Sequence, residues 1–161
     1  MVNSIRIVEL PKCKMVSSGY ALGEAPFAKG GTLERFMDWW SQYDKSRTDR
    51  WFPRDFLMFG REQDALIWLY AIPDDAAVDC AYDIIDFEGG LYAAAVAIDG
   101  DFEDEQRVYG GVKEWVNSSA VFALDEKEGH YDLCHVITPE HAHKAMGYMQ
   151  LEIYVPIKLR T

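Results

Sequence analysis

The sequence predicts an α+β fold made of tandem strand-strand-helix-strand-strand units. The two units are related by pseudo-twofold symmetry, with an antiparallel sheet on one side and two main helices across it. Three observations predict it. Apolar residues recur at helical spacing twice, at Leu33, Phe36, Met37, Trp40 and Tyr43 and again at Val108, Val112, Trp115 and Val116. Alternating or continuous apolar runs of strand length flank each helix. A closing phrase ends each half, Trp68-Leu69-Tyr70-Ala71-Ile72-Pro73 and Glu152-Ile153-Tyr154-Val155-Pro156. Tyr70 and Tyr154 stand 84 residues apart whereas Trp40 and Trp115 stand 75 apart, so the repeat is a diverged duplication.

In order along the chain, Ser4 to Leu10 alternates as a strand does, and Cys13 to Ser18 is a second extended piece after the break at Pro11. Glycines and Pro26 mark Gly19 to Gly31 as a loop, and Thr32 stands where a helix N-cap belongs, ahead of a helix over 33–45. Phe56 to Phe59 and Leu66 to Ile72 are strands, ended by Pro73-Asp74-Asp75. The second half repeats the order, with strands Tyr82 to Phe87 and Leu91 to Ile98 on either side of Gly89-Gly90. Asp101 caps a helix whose first turn carries Glu103, Asp104 and Glu105, the charges a helix N-terminus favours. A strand over Tyr131 to Ile137, a short helix over Pro139 to Met146 capped by Thr138 and stopped by Gly147, and a strand over Tyr148 to Leu159 complete it.

Length and charge set the function classes. The 161 residues suit one domain, with halves at about 1–78 and 79–161, and such a chain closes its core without disulfide or metal. Sixteen basic against 27 acidic residues give a formal charge of −11, and residues 79–161 hold 6 and 16 of them. That surface repels a phosphate backbone, so direct nucleic-acid binding is not expected. There is no basic amphipathic stretch, no secretory leader pattern and no apolar run of the ~18–20 residues that span a bilayer, so no membrane partner is expected and the chain reads as cytoplasmic. Cys13, Cys80 and Cys134 are odd in number and form no CxxC pair, as incidental thiols do in a reducing compartment. His141 and His143 lie two apart, which turns them ~200° from each other on a helix, so no metal is expected.

Specific phrases carry a family likeness. Gly89-Gly90-Leu91-Tyr92-Ala93, Tyr109-Gly110-Gly111-Val112-Lys113-Glu114-Trp115 and above all Gly147-Tyr148-Met149-Gln150-Leu151-Glu152-Ile153-Tyr154-Val155-Pro156-Ile157-Lys158 resemble the GyrI-like small-molecule-binding domain. That domain is the effector module of AraC-type and multidrug-responsive transcription regulators, and it also occurs free-standing. The resemblance implies a ligand cleft between the two halves, lined with aromatics and holding an acidic residue at its floor. It implies roles from sensing lipophilic, often cationic, drugs to hydrolysis of cyclopropane-bearing genotoxins. Only a few residues precede the first strand, so no helix-turn-helix fits there and the free-standing form is expected.

Within that frame Glu152 leads. It interrupts an apolar strand, and Tyr154, two residues on, shares its face. A carboxylate there needs a compensating partner, which a cationic ligand or a transferable proton supplies. Phe36, Trp39, Trp40, Trp68, Tyr70, Tyr92, Tyr109, Trp115 and Tyr154 form the aromatic set expected to line the site, because flat faces stack on planar ligands and cations. Each could equally be core packing. Of Trp39 and Trp40, adjacent on one helix, one is expected to turn toward the cleft or solvent. His135 lies in a strand, where it is either a pocket wall or an acid-base group. Two functions follow. The first is binding of a hydrophobic, cationic or heteroaromatic small molecule, with no cofactor. The alternative is hydrolysis in the same cleft, with Glu152 assisted by Tyr154 or His135. A protein partner stays open.

Overall fold

The computed structural model describes residues 4–47, 54–60, 62–76, 78 and 81–161. Among them nine strands and three helices follow in the order β1 (Arg6–Leu10), β2 (Cys13–Tyr20), α1 (Thr32–Lys45), β3 (Asp55–Gly60), β4 (Ala65–Ile72), β5 (Asp83–Phe87), β6 (Gly90–Ile98), α2 (Phe102–Ser118), β7 (Phe122–Leu124), β8 (Leu133–Val136), α3 (Glu140–Met146) and β9 (Gln150–Leu159). The fold is α+β with antiparallel strand pairing, as the sequence predicts. Beyond the predicted elements there is β7, whose three residues are too few for a periodic signal. Cys80 lies outside the described residues.

The chain forms two compact units, one of residues Cys13–Phe87 and one of Met1–Lys12 with Glu88–Thr161. The division therefore does not fall near residue 78. In the continuous unit the strands run β5-β2-β4-β3, and in the other β1-β6-β9-β8, with β7 pairing β9 beside β8. The two orders are the same, an edge strand followed by a β-α-β-β sequence. Each unit takes its edge strand from the other half of the chain, since β1 pairs with β6 and β5 with β2. Pro11 between β1 and β2 ends the first ladder and lets this separation happen.

Parity along each strand decides what each sheet face holds. In the discontinuous unit, Ala93, Ala95 and Ala97 of β6 and Leu151, Ile153, Val155 and Ile157 of β9 pack against Val108, Val112 and Val116 of α2. Alanines on the strand let the valine stripe approach closely, and all three valines are buried. In the continuous unit, Val16, Trp68, Tyr70 and Ile72 face Leu33 and Phe36 of α1. Tyr70 thus faces its helix while Tyr154 faces away from α2. The shared closing phrase is out of step by one strand position, and a one-residue slip exchanges the faces.

Helix ends follow the sequence where side chains cap them. The Asp104 amide donates to Asp101 Oδ1 at 3.0 Å, and Gly147 closes α3 at φ 79°. Two expected caps move by a residue. Gly31 is the N-cap of α1 and Thr32 its first residue; the Thr32 amide donates to Glu24 Oε2 at 2.7 Å, so a loop carboxylate does the cap's work. Pro139 is the N-cap of α3, while Thr138 Oγ1 accepts from the Gln150 amide at 2.7 Å. No helix among the described residues is long and apolar enough to cross a membrane.

Candidate functional site

The sheet face of the discontinuous unit turned away from α2 carries the predicted acidic centre. Glu152 on β9 lies opposite His135 on β8 and Val96 on β6, and Tyr154 lies opposite Leu133 and Ala94. Opposed residues of antiparallel strands share a face, so Glu152, Tyr154, His135 and Tyr92 are brought onto one surface. All four are buried, and Glu152 is only 3% exposed. Tyr154 donates its hydroxyl to Glu152 Oε2 at 2.6 Å. Burial first, and this hydrogen bond to an anion second, push the Tyr154 hydroxyl above its ordinary range, so it remains a donor at neutral pH.

The other carboxylate oxygen, Oε1, accepts from the guanidinium of Arg6 on β1. Bonding to Glu152 raises the Arg6 pKa further, with the Coulombic attraction adding to it. Sequence reasoning missed Arg6. Its signal is a single cation alternating with apolar residues in Ile5-Arg6-Ile7-Val8, at a position that faces Ala94.

Tyr92 meets Tyr154 edge-on at 6.1 Å and His130 edge-on at 4.7 Å. Its hydroxyl is buried with no hydrogen-bond partner among the described residues. Burial raises its pKa, with Asp132 and Asp125 reinforcing the effect, so it too stays a donor. His130 is a second missed residue. Its Nδ1 lies 2.8 Å from Asp125 Oδ2, and it borders a surface groove of about 400 Å³ that Gly90, Leu91, Asp125 and Lys158 also line.

The bond to His130 holds the Asp125 carboxyl below the ordinary value of 3.8, with Lys158 contributing less. A depressed carboxylate stabilises the fold above its unfolded value and loses that stabilisation as pH falls through the folded one. Thermal melts from pH 5 to 3 should therefore show a smaller drop in Tm for Asp125→Asn than for the wild type. An equal drop in both would remove Asp125 from the acid transition.

Tyr109 and Trp115 lie on α2, which covers the opposite face of this sheet. Tyr109 donates to Asp132 Oδ2 at 2.8 Å beneath the Lys113 ammonium, 4.2 Å from the ring centre. Trp115 is 38% exposed and leans on Phe122 at 6.0 Å, beside the buried valine stripe rather than in it. Neither is assembled with Glu152.

The remaining aromatics form a cluster of their own in the continuous unit, between α1 and its sheet. Trp40 stacks on Tyr70 at 5.2 Å, Trp39 stacks on Tyr43 at 5.5 Å, and Phe36 touches Trp39 and Trp68. Phe36, Trp68 and Tyr70 are buried in it as packing. Neither of the adjacent tryptophans leaves the cluster. Consecutive helix positions are about 100° apart, so the two indoles lie on either flank of the Phe36 ridge, and their length brings both back to aromatic partners. The Tyr70 hydroxyl donates to Asp44 Oδ1 at 2.5 Å and the Trp68 indole to Asp55 Oδ2 at 3.1 Å.

No family model and no curated protein matches the sequence. Solved structures do. The C-terminal domain of EcmrR is 11% identical, with 98% of this chain and 99% of that one covered at a TM-score of 0.66. SAV2435 bound to tetraphenylphosphonium is 12% identical, covering 96% and 94% at 0.53. A hydrolase from Listeria innocua is 11% identical, covering 98% and 93% at 0.62. Full-length likeness to the first two, together with phrases the sequence itself carries, gives this chain the fold of the GyrI-like effector-binding domain.

Proposed function

We propose that the chain binds hydrophobic cationic or heteroaromatic small molecules, with Glu152 as counter-charge and Tyr92 and Tyr154 as aromatic walls. The observation that carries this reading is a carboxylate 3% exposed on a sheet face it shares with two buried tyrosines, of which Tyr92 has a hydroxyl with no partner among the described residues. Burying an anion costs several kcal/mol unless a cation and donors meet it, and a ligand cation could meet this one in the place of Arg6. That SAV2435 binds tetraphenylphosphonium on the same fold supports a lipophilic cation as the ligand class. Aromatic faces add roughly 0.5–2 kcal/mol per cation contact. Calorimetric titration with tetraphenylphosphonium should give saturable binding that Glu152→Gln weakens by about 10- to 100-fold, equivalent to about 1.4–2.7 kcal/mol. Equal affinity in the two proteins would remove Glu152 from the site.

A second reading is hydrolysis of cyclopropane-bearing genotoxins in the same place. It is favoured by His135 standing directly opposite Glu152 in the strand register and by the hydrolase of like fold. Glu152 takes a proton from water, the oxygen attacks the strained ring carbon, the electron pair of the broken C–C bond passes into the conjugated system of the toxin, and that anion then takes the proton back from Glu152. Under this reading Glu152→Gln retains binding but forms none of the product that carries one added water.

A further inference from the structure

The cation already facing Glu152 belongs to the protein. Arg6 stands opposite Ala94, and Ala94 opposite Tyr154, so the arginine side chain crosses a lane that only a methyl group occupies and reaches Glu152 diagonally. The pair is unequal. Glu152 is 3% exposed and Arg6 62% exposed, on a strand at the edge of its sheet. The anion is fixed in the interior, whereas the guanidinium already keeps most of its surface in water, so the attraction it gives up on leaving is partly screened.

We infer that Arg6 is a built-in competitor for the ligand cation and sets which cations the site accepts. This rests on the binding site proposed above. One carboxylate oxygen is engaged by Tyr154 and the other by Arg6, and at 3% exposure the carboxylate offers little further surface, so an incoming cation reaches Glu152 by taking the place of the guanidinium. The exchange restores one ion pair for another. Its net gain must then come from what the newcomer adds, namely apolar surface buried and aromatic contact, less the hydration it gives up. Small, strongly hydrated ions such as potassium or a primary ammonium gain nothing over a guanidinium, which is itself weakly hydrated. Quaternary phosphonium or ammonium ions carrying aromatic groups gain most. Arg6 thereby converts a site for positive charge in general into one for lipophilic cations.

The test is calorimetry with tetraphenylphosphonium and with the neutral triphenylphosphine oxide on wild type, Arg6→Gln, Glu152→Gln and the double variant. Arg6→Gln should tighten tetraphenylphosphonium about tenfold, leave the oxide unchanged, and give no gain in the Glu152→Gln background. Unchanged or weaker phosphonium binding in Arg6→Gln, with Glu152→Gln still weakening it, overturns the competitor and leaves the site standing. Absence of saturable binding in both wild type and Arg6→Gln overturns the site and the competitor together. A readout on the unaltered protein covers failure of the variant to fold. The Arg6 guanidinium Nη–H resonances should move to the position of free arginine at phosphonium saturation, and their remaining at the paired position at saturation overturns the inference.

Discussion

Replacing Phe36 with alanine should cost about 3–5 kcal/mol of stability, the largest effect of any single substitution considered for this chain. Phe36 is fully buried between α1 and its sheet. It contacts Trp39 at 5.5 Å, Tyr82 edge-on at 5.1 Å and Trp68 at 6.4 Å, so its removal opens a cavity bounded by rings that cannot collapse into it without giving up their own stacking. At roughly 2–4 °C per kcal/mol for a domain of this size, Tm should fall by about 6–20 °C. Phe36→Leu, which keeps most of the volume, should recover more than half of that loss. Scanning calorimetry of the two variants checks both numbers. If Phe36→Ala lowers Tm by less than about 2 °C, on the scale of a surface substitution, the ring is not a core residue and the helix–sheet packing described above is wrong.

Gly89→Ala should be nearly as damaging for a backbone reason. Gly89 adopts φ +68°, a conformation L side chains rarely take, and a Cβ there would sit 2.3 Å from Leu10 O and 2.7 Å from the Pro11 carbonyl carbon. Those atoms are main chain and cannot rotate aside. The strained dihedral alone costs of order 1–3 kcal/mol, and the clash adds to it by pushing the end of β1 from β6. Gly110→Ala is the control, because nothing lies within 4 Å of its added methyl and helical alanine is favoured. Urea melts should show Gly89→Ala lower and Gly110→Ala equal or higher in midpoint. A neutral Gly89→Ala would mean that the β1–β6 junction is looser than its geometry indicates.

Element identity was legible because it depends on local periodicity, and both long helices and every strand of four or more residues announce themselves that way. Glu152 with Tyr154 was legible for the same reason, since same-face neighbours at i and i+2 need only the strand to be recognised. Partnership was not. Nothing local tells β1 that it pairs with β6 across Pro11 rather than with β2, so Arg6 could not be placed beside Glu152 from the sequence. Parity was misleading too. Tyr70 and Tyr154 sit in matching phrases, yet one packs under α1 and the other carries the acidic face, because the repeat has slipped by one position. The aromatic residues were read as one set, but they divide between the α1 cluster, the outside of α2 and the Glu152 face, and whether each ring packs a core or lines a site depends on that parity.

The exchange of edge strands also fixes the order in which the chain can be assembled. Residues Cys13–Phe87 form one continuous unit, so its strands, its helix and its edge strand β5 are complete before β6 is made. The β1 segment is synthesised before that unit, and its partner Ala94 in β6 follows only after the whole unit has been translated. Until then Arg6–Leu10 is an extended segment with open backbone donors and acceptors, the kind of edge that pairs with other chains. Glu9 and the flanking Pro11-Lys12 are the charge and the strand breaker that blunt such an edge, so the residues guarding β1 serve the nascent chain as much as the folded one.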